Sequence, residues 1–451
     1  MTEDNTICAI STPAGSGAIA VIRLSGKESL SIIKKIFFPY KIKATFEPNK
    51  TYVGDIKYNK EFIDQVIISY YKAPKSYTGE DMVEISCHGS LYIQQKILSL
   101  LIDNGAKLAQ PGEFTLRAFF NNKLDLAQAE GVADLISSQS KSAHKLAVKQ
   151  MRGGFSKEIN ELRQKLIDFV SLIELELDFS EEDVEFADRS ELKSLLKVID
   201  NKVNNLLSSF KYGNVLKNGI PVVIAGEVNT GKSTLLNKLL SEDKAIVTEI
   251  PGTTRDYIED TTVFNGYLFR FIDTAGIRKT DNPIEKIGIN KSHEKIKQAT
   301  IVIALSDRPE KLNSTIQTIK KNAPNDVYII PVINKIDLLH DEELKKIPKS
   351  ILKISAKNNK IDTLIEKLTE YAEKINNDSY SVIVTNVRHY EILMLVKESI
   401  KRIFDGFDNN LPSDLIAQDI REAVYHLGAI TGQISDNDIL ENIFKNFCIG
   451  K

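Results

Sequence analysis

Residues 220–240 read IPVVIAGEVNTGKSTLLNKLL, in which an apolar run, a turn with two glycines and an amphipathic run follow one another directly. The turn matches the pattern Gly-x-x-x-x-Gly-Lys-Ser at 226–233. In this pattern backbone N–H groups turn toward the phosphates of a nucleotide, the lysine reaches the β and γ phosphates, and the serine hydroxyl ligates Mg²⁺. The stretch predicts the strand, phosphate loop and helix of an α/β P-loop domain. The alternative is a glycine-rich turn without a ligand.

Further motifs follow in the order expected of a GTPase. DTAG at 273–276 closes an apolar run and predicts a Mg²⁺-bound water and a γ-phosphate contact. In NKID at 334–337, Asp337 is placed to accept the hydrogens that guanine has and adenine lacks, which predicts selectivity for GTP. SAK at 355–357 would complete the base pocket. The predicted GTP-binding residues are Asn229, Thr230, Gly231, Lys232, Ser233, Thr234, Thr248, Thr254, Asp273, Gly276, Asn334, Lys335, Asp337, Ser355 and Ala356.

The residue after DTAG differs from that of Ras-type GTPases. Those proteins place a glutamine there to orient the attacking water, whereas this chain has Ile277, which neither donates nor accepts a hydrogen bond. Either hydrolysis is very slow or the polarising groups come from elsewhere. The nearby candidates are Arg278, Glu285 and Arg255. An ordinary solvated helix residue is the structural alternative for Glu285.

The composition is ordinary for a multidomain protein. The 451 residues suggest about three domains. Lys and Arg number 59 against 61 Asp and Glu, so nucleic acid would have to bind a local patch. The sequence shows no apolar run long enough for a membrane span and no signal-peptide pattern at its start. Cys8, Cys87 and Cys448 are odd in number and far apart in the sequence, which fits a reducing cytoplasm. Their spacing does not predict a metal cluster. We expect a cytoplasmic protein.

Changes in pattern along the chain predict four segments. Residues 1–120 mix short β-branched runs with turns, whereas 121–212 consist of long amphipathic stretches. Residues 213–379 alternate apolar runs with helical ones, and 380–451 return to the helical pattern. The predicted fold is therefore multidomain, with an α+β N-terminal domain, an α-helical central domain and an α/β P-loop (Ras-like) G domain inserted into it. The two helical segments should then pack together.

Several further stretches carry recognisable motifs. They are NTICAISTPAGSGAIAVIRLSG, SYTGEDMVEISCHG, QPGEFTLRAFFNNKLDLAQAEGVADLI, AIVTEIPGTTRD, DTAGIRKT, EKIGI and FCIGK. Together with the phosphate loop they resemble the MnmE (TrmE) family of tRNA-modification GTPases over the whole chain. The resemblance implies an N-terminal domain that binds a 5-formyl- or 5,10-methylene-tetrahydrofolate and forms a homodimer. It also implies that the G domains dimerise on GTP, with K⁺ replacing an arginine finger.

The resemblance also implies roles for single residues at the matching positions. K⁺ would be held by Asn229 and by the main chain of Thr248, Ile250 and Thr253. Mg²⁺ would be held by Ser233 and Thr254. The folate contacts would be Arg23, Glu84, Lys123 and Lys451. Glu285 would orient the attacking water through a second water, and Cys448 would act in the reaction centre. Arg278, a candidate from its position beside Ile277, completes the predicted catalytic set.

The last stretch, FCIGK at 447–451, has two other readings. A cysteine fourth from the end has the spacing of a prenylation box, but the last two residues depart from that motif. A frayed tail is the second reading, although Phe444 and Phe447 need an apolar surface to pack on. The resemblance instead places Cys448 in the reaction centre and Lys451 on the folate. A buried structural cysteine is the alternative for Cys448.

This sequence departs from the common family pattern at a few positions. Glu227 and Val228 stand at variable positions of the phosphate loop. Ser90 replaces a usual second glycine, and because serine does not adopt positive φ freely, the conformation of that turn is left open.

The expected function is that of a K⁺-dependent GTPase in tRNA modification. With an FAD- and NADH-dependent partner resembling MnmG, in a heterotetramer, it would add an aminomethyl or carboxymethylaminomethyl group to C5 of the tRNA wobble uridine. The folate would supply one carbon. Two alternatives are a GTP-dependent binding switch, such as a ribosome-assembly factor, and a folate-binding protein of the glycine-cleavage type with a regulatory G domain. Folate affinity separates the expected function from the first, and GTP-dependent wobble modification separates it from the second.

Overall fold

The structure is a computed structural model that describes residues 5–41, 45–59, 61–178, 189–241, 260–272, 295–377, 382–434, 440, 443–445, 447 and 450. Its contacts divide the chain into two compact units. The first comprises Met1–Ala133, Lys149–Leu192 and Glu398–Lys451. The second comprises Asp134–Val148 and Lys193–Lys397. The predicted domain boundaries stay a prediction.

The first unit contains a seven-stranded sheet. Its strands are β1 (Ile7–Ile10), β2 (Ile19–Ser25), β3 (Phe37–Pro39), β4 (Lys50–Tyr58), β5 (Glu61–Tyr71), β6 (Met82–His88) and β7 (Lys107–Leu108). They lie in the order β3-β4-β5-β6-β2-β1-β7. All neighbouring pairs are antiparallel except β1 and β7. Two of the short β-branched runs of residues 1–120, AIAVIRL at 18–24 and DQVIISYY at 64–71, lie almost wholly within β2 and β5.

Two helices pack on one face of this sheet. They are α1 (Ser29–Ile36) and α2 (Leu91–Asp103), which bury isoleucine and leucine side chains at helical spacing against the strands. Along β6, Val83, Ile85 and Cys87 are buried while Glu84 is only partly buried. Because side chains alternate along a strand, Glu84 points to the opposite face of the sheet. Arg23 of β2 lies directly across from it.

Helices dominate the chain after the first sheet. They are α3 (Glu113–Phe120), α4 (Leu126–Ser137), α5 (Lys141–Met151), α6 (Gly154–Asp178) and α7 (Arg189–Asn218). Two of them, α6 and α7, coincide with the amphipathic runs that predicted helix in this part of the chain.

The second unit contains a six-stranded sheet. Its strands are β8 (Ile220–Ala225), β9 (Asp260–Phe264), β10 (Tyr267–Phe271), β11 (Ile301–Ser306), β12 (Tyr328–Ile333) and β13 (Leu352–Lys353). They lie in the order β13-β12-β11-β8-β10-β9. Neighbouring strands are parallel, except that β9 runs antiparallel to β10. The helices are α8 (Lys232–Ser241), α9 (Pro309–Asn322), α10 (Asp341–Lys346) and α11 (Asp362–Asn377).

Apolar cores lie on both faces of this second sheet. Val222 packs with Leu235 of α8 and Leu364 of α11, whereas Val302 packs with Leu312 of α9. A parallel sheet with helices on both faces is the doubly wound α/β arrangement. The predicted α/β P-loop fold is therefore confirmed.

Two further helices are α12 (Val387–Asp408) and α13 (Ser413–Thr431). In the first unit both contact α6. The ring of Phe169 lies 6.1 Å from that of Phe407, and Arg421 Nη2 lies 2.5 Å from Glu174 Oε1. Helices from the two ends of the helical pattern thus pack together, as the sequence predicts. Among the helices described here, none combines the length and apolar character needed to cross a bilayer.

Candidate functional site

The phosphate loop lies between the end of β8 and the start of α8. Gly231 has φ +92°, in the left-handed region, and a Cβ there would lie 2.4 Å from Asn334 Nδ2. Only glycine fits this position, because any side chain would clash and its backbone would be strained. Asn229 also has a positive φ, of 65°, which asparagine tolerates better than most residues.

Lys232 is held over this loop. Its Nζ donates hydrogen bonds to the carbonyl oxygens of Gly226, at 3.0 Å, and Glu227, at 2.7 Å. The Thr230 hydroxyl donates to the same Glu227 carbonyl at 2.9 Å. These hydrogen bonds within the loop hold the Lys232 ammonium at the loop, where phosphate binding requires it.

Asn334 joins the phosphate loop to the predicted base pocket. It follows β12 and is buried, with 2% of its surface exposed. Its Nδ2 donates to the Thr230 carbonyl at 2.9 Å, and its Oδ1 accepts from the Ala356 N–H at 3.0 Å. Lys335 adds a second link, because its Nζ donates to the Asn229 carbonyl at 2.5 Å. These bonds fix the distance between the two loops.

Asp337 carries the negative charge of the base pocket. The Ser355 hydroxyl donates to Asp337 Oδ1 at 2.5 Å, and this hydrogen bond lowers the pKa of the carboxyl below its ordinary value. The carboxylate is therefore ionised at neutral pH and keeps acceptor positions for a base with two N–H groups.

The structure places part of the predicted GTP-binding set around these loops. Those residues are Asn229, Thr230, Gly231, Lys232, Ser233, Thr234, Asn334, Lys335, Asp337, Ser355 and Ala356. Several predicted positions lie outside the described residues. They are Thr248, Ile250, Thr253, Thr254, Asp273, Gly276, Arg278 and Glu285. The assignments to Mg²⁺, K⁺ and the attacking water stay predictions.

A second polar site lies on the first sheet. Arg23 Nε and Nη2 both donate to Glu84 Oε1, at 3.0 and 2.7 Å. The Gly450 carbonyl lies beside them and accepts from the Ser11 hydroxyl at 3.0 Å and from Arg23 Nη1 at 3.4 Å. Gly450 thus lies beside Arg23, whereas Cys448 and Lys451 lie outside the described part of the chain.

Two aromatic rings flank this arginine, and the sequence reasoning missed both. The Arg23 guanidinium lies 5.2 Å from the centre of the Tyr77 ring and 5.7 Å from that of Phe114. Burial raises the pKa of Tyr77, so its phenol stays protonated. Their positions within SYTGED and QPGEF were the available signal. Phe114 is fully buried and Tyr77 partly buried, so of these two rings that of Tyr77 is the one able to contact a planar ligand beside Arg23 and Glu84.

The other residues singled out in the first unit are placed as follows. Lys123 Nζ donates to the Pro74 carbonyl at 3.0 Å. Phe444 and Phe447 are buried, so a frayed tail does not describe these two residues. Ser90 precedes α2 with φ −70°, so this turn does not need a second glycine.

The buried cysteines do not suit nucleophilic chemistry. Burial raises the pKa of Cys8 to about 12 and that of Cys87 to about 11, which keeps both as thiols at neutral pH. The described residues also contain no cluster of three or more potential metal-binding side chains of the His, Cys, Asp and Glu types.

Comparisons with known proteins agree over the whole chain. The model of the GTP-binding protein TrmE N-terminus matches residues 6–123, and that of the MnmE helical domain matches 126–448. The tRNA modification GTPase MnmE of Bacteroides thetaiotaomicron is 50% identical over 465 residues and that of Flavobacterium johnsoniae 50% over 467, with 100% of each chain covered. The protein of the same name from Cytophaga hutchinsonii is 48% identical and covers 99% of this chain and 98% of its own.

One solved structure, the G domain of the T. maritima FeoB iron transporter, is 26% identical. It covers 34% of this chain and 98% of its own, with a TM-score of 0.24.

Proposed function

The chain belongs to the MnmE family of tRNA modification GTPases, and we propose that it binds GTP at the loop between β8 and α8 and hydrolyses it during tRNA modification. The observation that carries the proposal is the link through Asn334, which joins Thr230 of the phosphate loop to Ala356 of the base pocket. A nucleotide bound there would have its phosphates and its base fixed at the same time. Such positioning contributes much of the rate in phosphoryl transfer.

The described residues have distinct roles in this proposal. Lys232 and the N–H groups at the start of α8 bind the phosphates. Asp337 accepts from the N1 and exocyclic amino hydrogens of guanine, and an adenine would leave its carboxylate unpaired. The Ser233 hydroxyl, in the first turn of α8, is suited to Mg²⁺, with Thr254 as the second protein ligand.

The cation-dependent part of the proposal rests on family membership and on Ile277. Since isoleucine cannot orient water, the polarising groups come from elsewhere. Asn229, with the main chain of Thr248, Ile250 and Thr253, would hold K⁺, which supplies positive charge beside the phosphates when bound. Glu285 would orient the attacking water, and Arg278 is the second candidate for that region.

A tetrahydrofolate in the site beside Arg23 is the second part of the proposal. Glu84, which pairs with Arg23, would accept hydrogen bonds from the pterin edge, and the partly buried Tyr77 ring would lie beside it. Arg23 and Lys451 would provide positive charge for the folate. When bound, this folate supplies a one-carbon unit. Lys123 is the remaining proposed contact, and Cys448 would act in the reaction centre.

These sites serve one reaction in our proposal. A homodimer, joined by an FAD- and NADH-dependent partner of the MnmG type in a heterotetramer, adds an aminomethyl or carboxymethylaminomethyl group to C5 of the tRNA wobble uridine in the cytoplasm. Membership of a tRNA modification family supports this assignment.

The first test is GTP turnover by the full-length protein in K⁺ and in Na⁺ at equal ionic strength. We expect turnover to rise at least about tenfold in K⁺, since an added positioning or electrostatic group typically contributes that much or more. Asn229→Ala should bind GTP and lose the response. Equal turnover in the two salts would remove the K⁺ mechanism, and failure to bind GTP would remove the proposed function.

A further inference from the structure

The phosphate loop contains an acidic residue that its motif does not require. Glu227 is the one acidic residue among positions 226–233. The main-chain carbonyl of Glu227 accepts hydrogen bonds from Thr230 and Lys232. Glu227 therefore lies in the part of the loop that holds the Lys232 ammonium. A carboxylate near a nucleotide triphosphate is unfavourable, because like charges repel. An unneutralised Glu227 would therefore oppose the function of the loop.

Lys311 contacts this carboxylate from another element. Its Nζ lies 2.6 Å from Glu227 Oε2, and each side chain is 49% exposed. Lys311 is the third residue of α9, which begins at Pro309. The amino end of a helix is positive, so a lysine in the first turn is unfavourable for the helix itself. The helix gains little from a lysine here, whereas the phosphate loop gains a counter-charge.

We propose that Lys311 sets the affinity of the loop for nucleotide by neutralising Glu227. The inference rests on the proposed function, because it concerns the same phosphate site. The Lys311 ammonium and the Glu227 carboxylate act on the nucleotide as two charges that offset each other, so the carboxylate does not reduce the positive charge of Lys232. GTP carries more negative charge than GDP, so loss of the Lys311 charge weakens GTP binding more than GDP binding. An exposed ion pair contributes little to folding, so the effect belongs to binding.

The experiment measures the affinity of four full-length variants for a fluorescent GTP analogue and for its GDP counterpart. Lys311→Ala should weaken GTP binding about fivefold at low salt, and GDP binding less, as expected for one charge acting over roughly 10 Å on a polyanion. Glu227→Gln should strengthen GTP binding by a similar factor. The double variant Lys311→Ala/Glu227→Gln should return to the wild-type affinity.

Lys320→Ala is the matched control, because it removes the same charge from the exposed last turn of α9. Its nine-residue separation from Lys311 is about 13 Å along the helix, so its charge acts on the nucleotide from a greater distance. It should weaken GTP binding clearly less than Lys311→Ala does at the same salt. Raising the salt to about 0.5 M should shrink every difference, since charges are then screened within a few ångströms.

The outcomes separate the charge effect from a mechanical role. If the pair only holds the loop in place, Glu227→Gln and the double variant will both bind GTP more weakly than wild type, which overturns the inference. Wild-type affinity in Lys311→Ala also overturns it. That result would leave the proposed function intact, because the wild-type protein would still bind GTP. If the wild type does not bind GTP, the proposed function is lost with it.

Discussion

The nucleotide site and the Arg23 site differ in how their residues are distributed along the sequence. The first takes its described residues from three short motifs, each directly after a strand of one parallel sheet. The second pairs Arg23 with Glu84, 61 positions away, and with Gly450, 427 positions away. Motif order predicts where residues meet at the carboxyl ends of parallel strands. A site assembled across antiparallel strands and a distant segment depends on register, which short motifs do not show.

The two sites should therefore respond separately to substitution, and the largest effect is expected at the base pocket. Asp337→Asn replaces an acceptor of two hydrogen bonds by an amide that also donates. GTP affinity should fall on the order of 10³-fold, because buried donors of guanine lose their partner, while xanthosine triphosphate should bind better. Competition binding with both nucleotides checks this. An unchanged preference for GTP would mean that Asp337 does not contact the base.

A smaller effect is expected at the Arg23 site. Arg23→Ala should weaken tetrahydrofolate binding roughly 10- to 100-fold, since a hydrogen bond to a charged group is worth about 1.5–3 kcal/mol. Arg23→Lys keeps the charge without the forked geometry and should recover part of the affinity. Calorimetric titration with folate measures both variants. GTP affinity should stay at the wild-type value, and a parallel loss of GTP binding would contradict the separation of the two sites.

The smallest effect is expected from pH. The Ser355 hydrogen bond lowers the pKa of Asp337, so protonation of this carboxyl begins only below its ordinary range. Its contribution to GTP binding is therefore complete at neutral pH and is lost as pH falls through the lowered pKa. The preference for GTP over ATP, in which the titration of the γ-phosphate cancels, should be flat from about pH 8 to about pH 5.5, well above the ordinary carboxyl pKa near 4. In Ser355→Ala, which lacks this hydrogen bond, the contribution of Asp337 should begin to fall at a higher pH than in the wild type. A decline centred near neutral pH would show that another group controls binding.

The same contrast explains how much the sequence predicted. The nucleotide site depends on patterns within short consecutive stretches, namely the apolar runs of β8, β11 and β12 and the glycines of the phosphate loop. The fold of this part and the site could therefore be predicted directly. The pairing of Arg23 with Glu84 depends on the register of β2 and β6, and it was expected only through resemblance to a family. The ring contacts of Tyr77 and the ion pair of Lys311 with Glu227 depend on tertiary packing, which no local pattern contains.

The most direct test of the account is mass analysis of wobble uridines in tRNA from cells that lack this protein. The measurement compares complementation by the wild type, by Asp337→Asn and by Arg23→Ala. If GTP and folate sites serve one modification, the wild type will restore the C5 group and each variant will leave most of the uridine unmodified. Full modification in cells without the protein would contradict the account, as would full restoration by either variant.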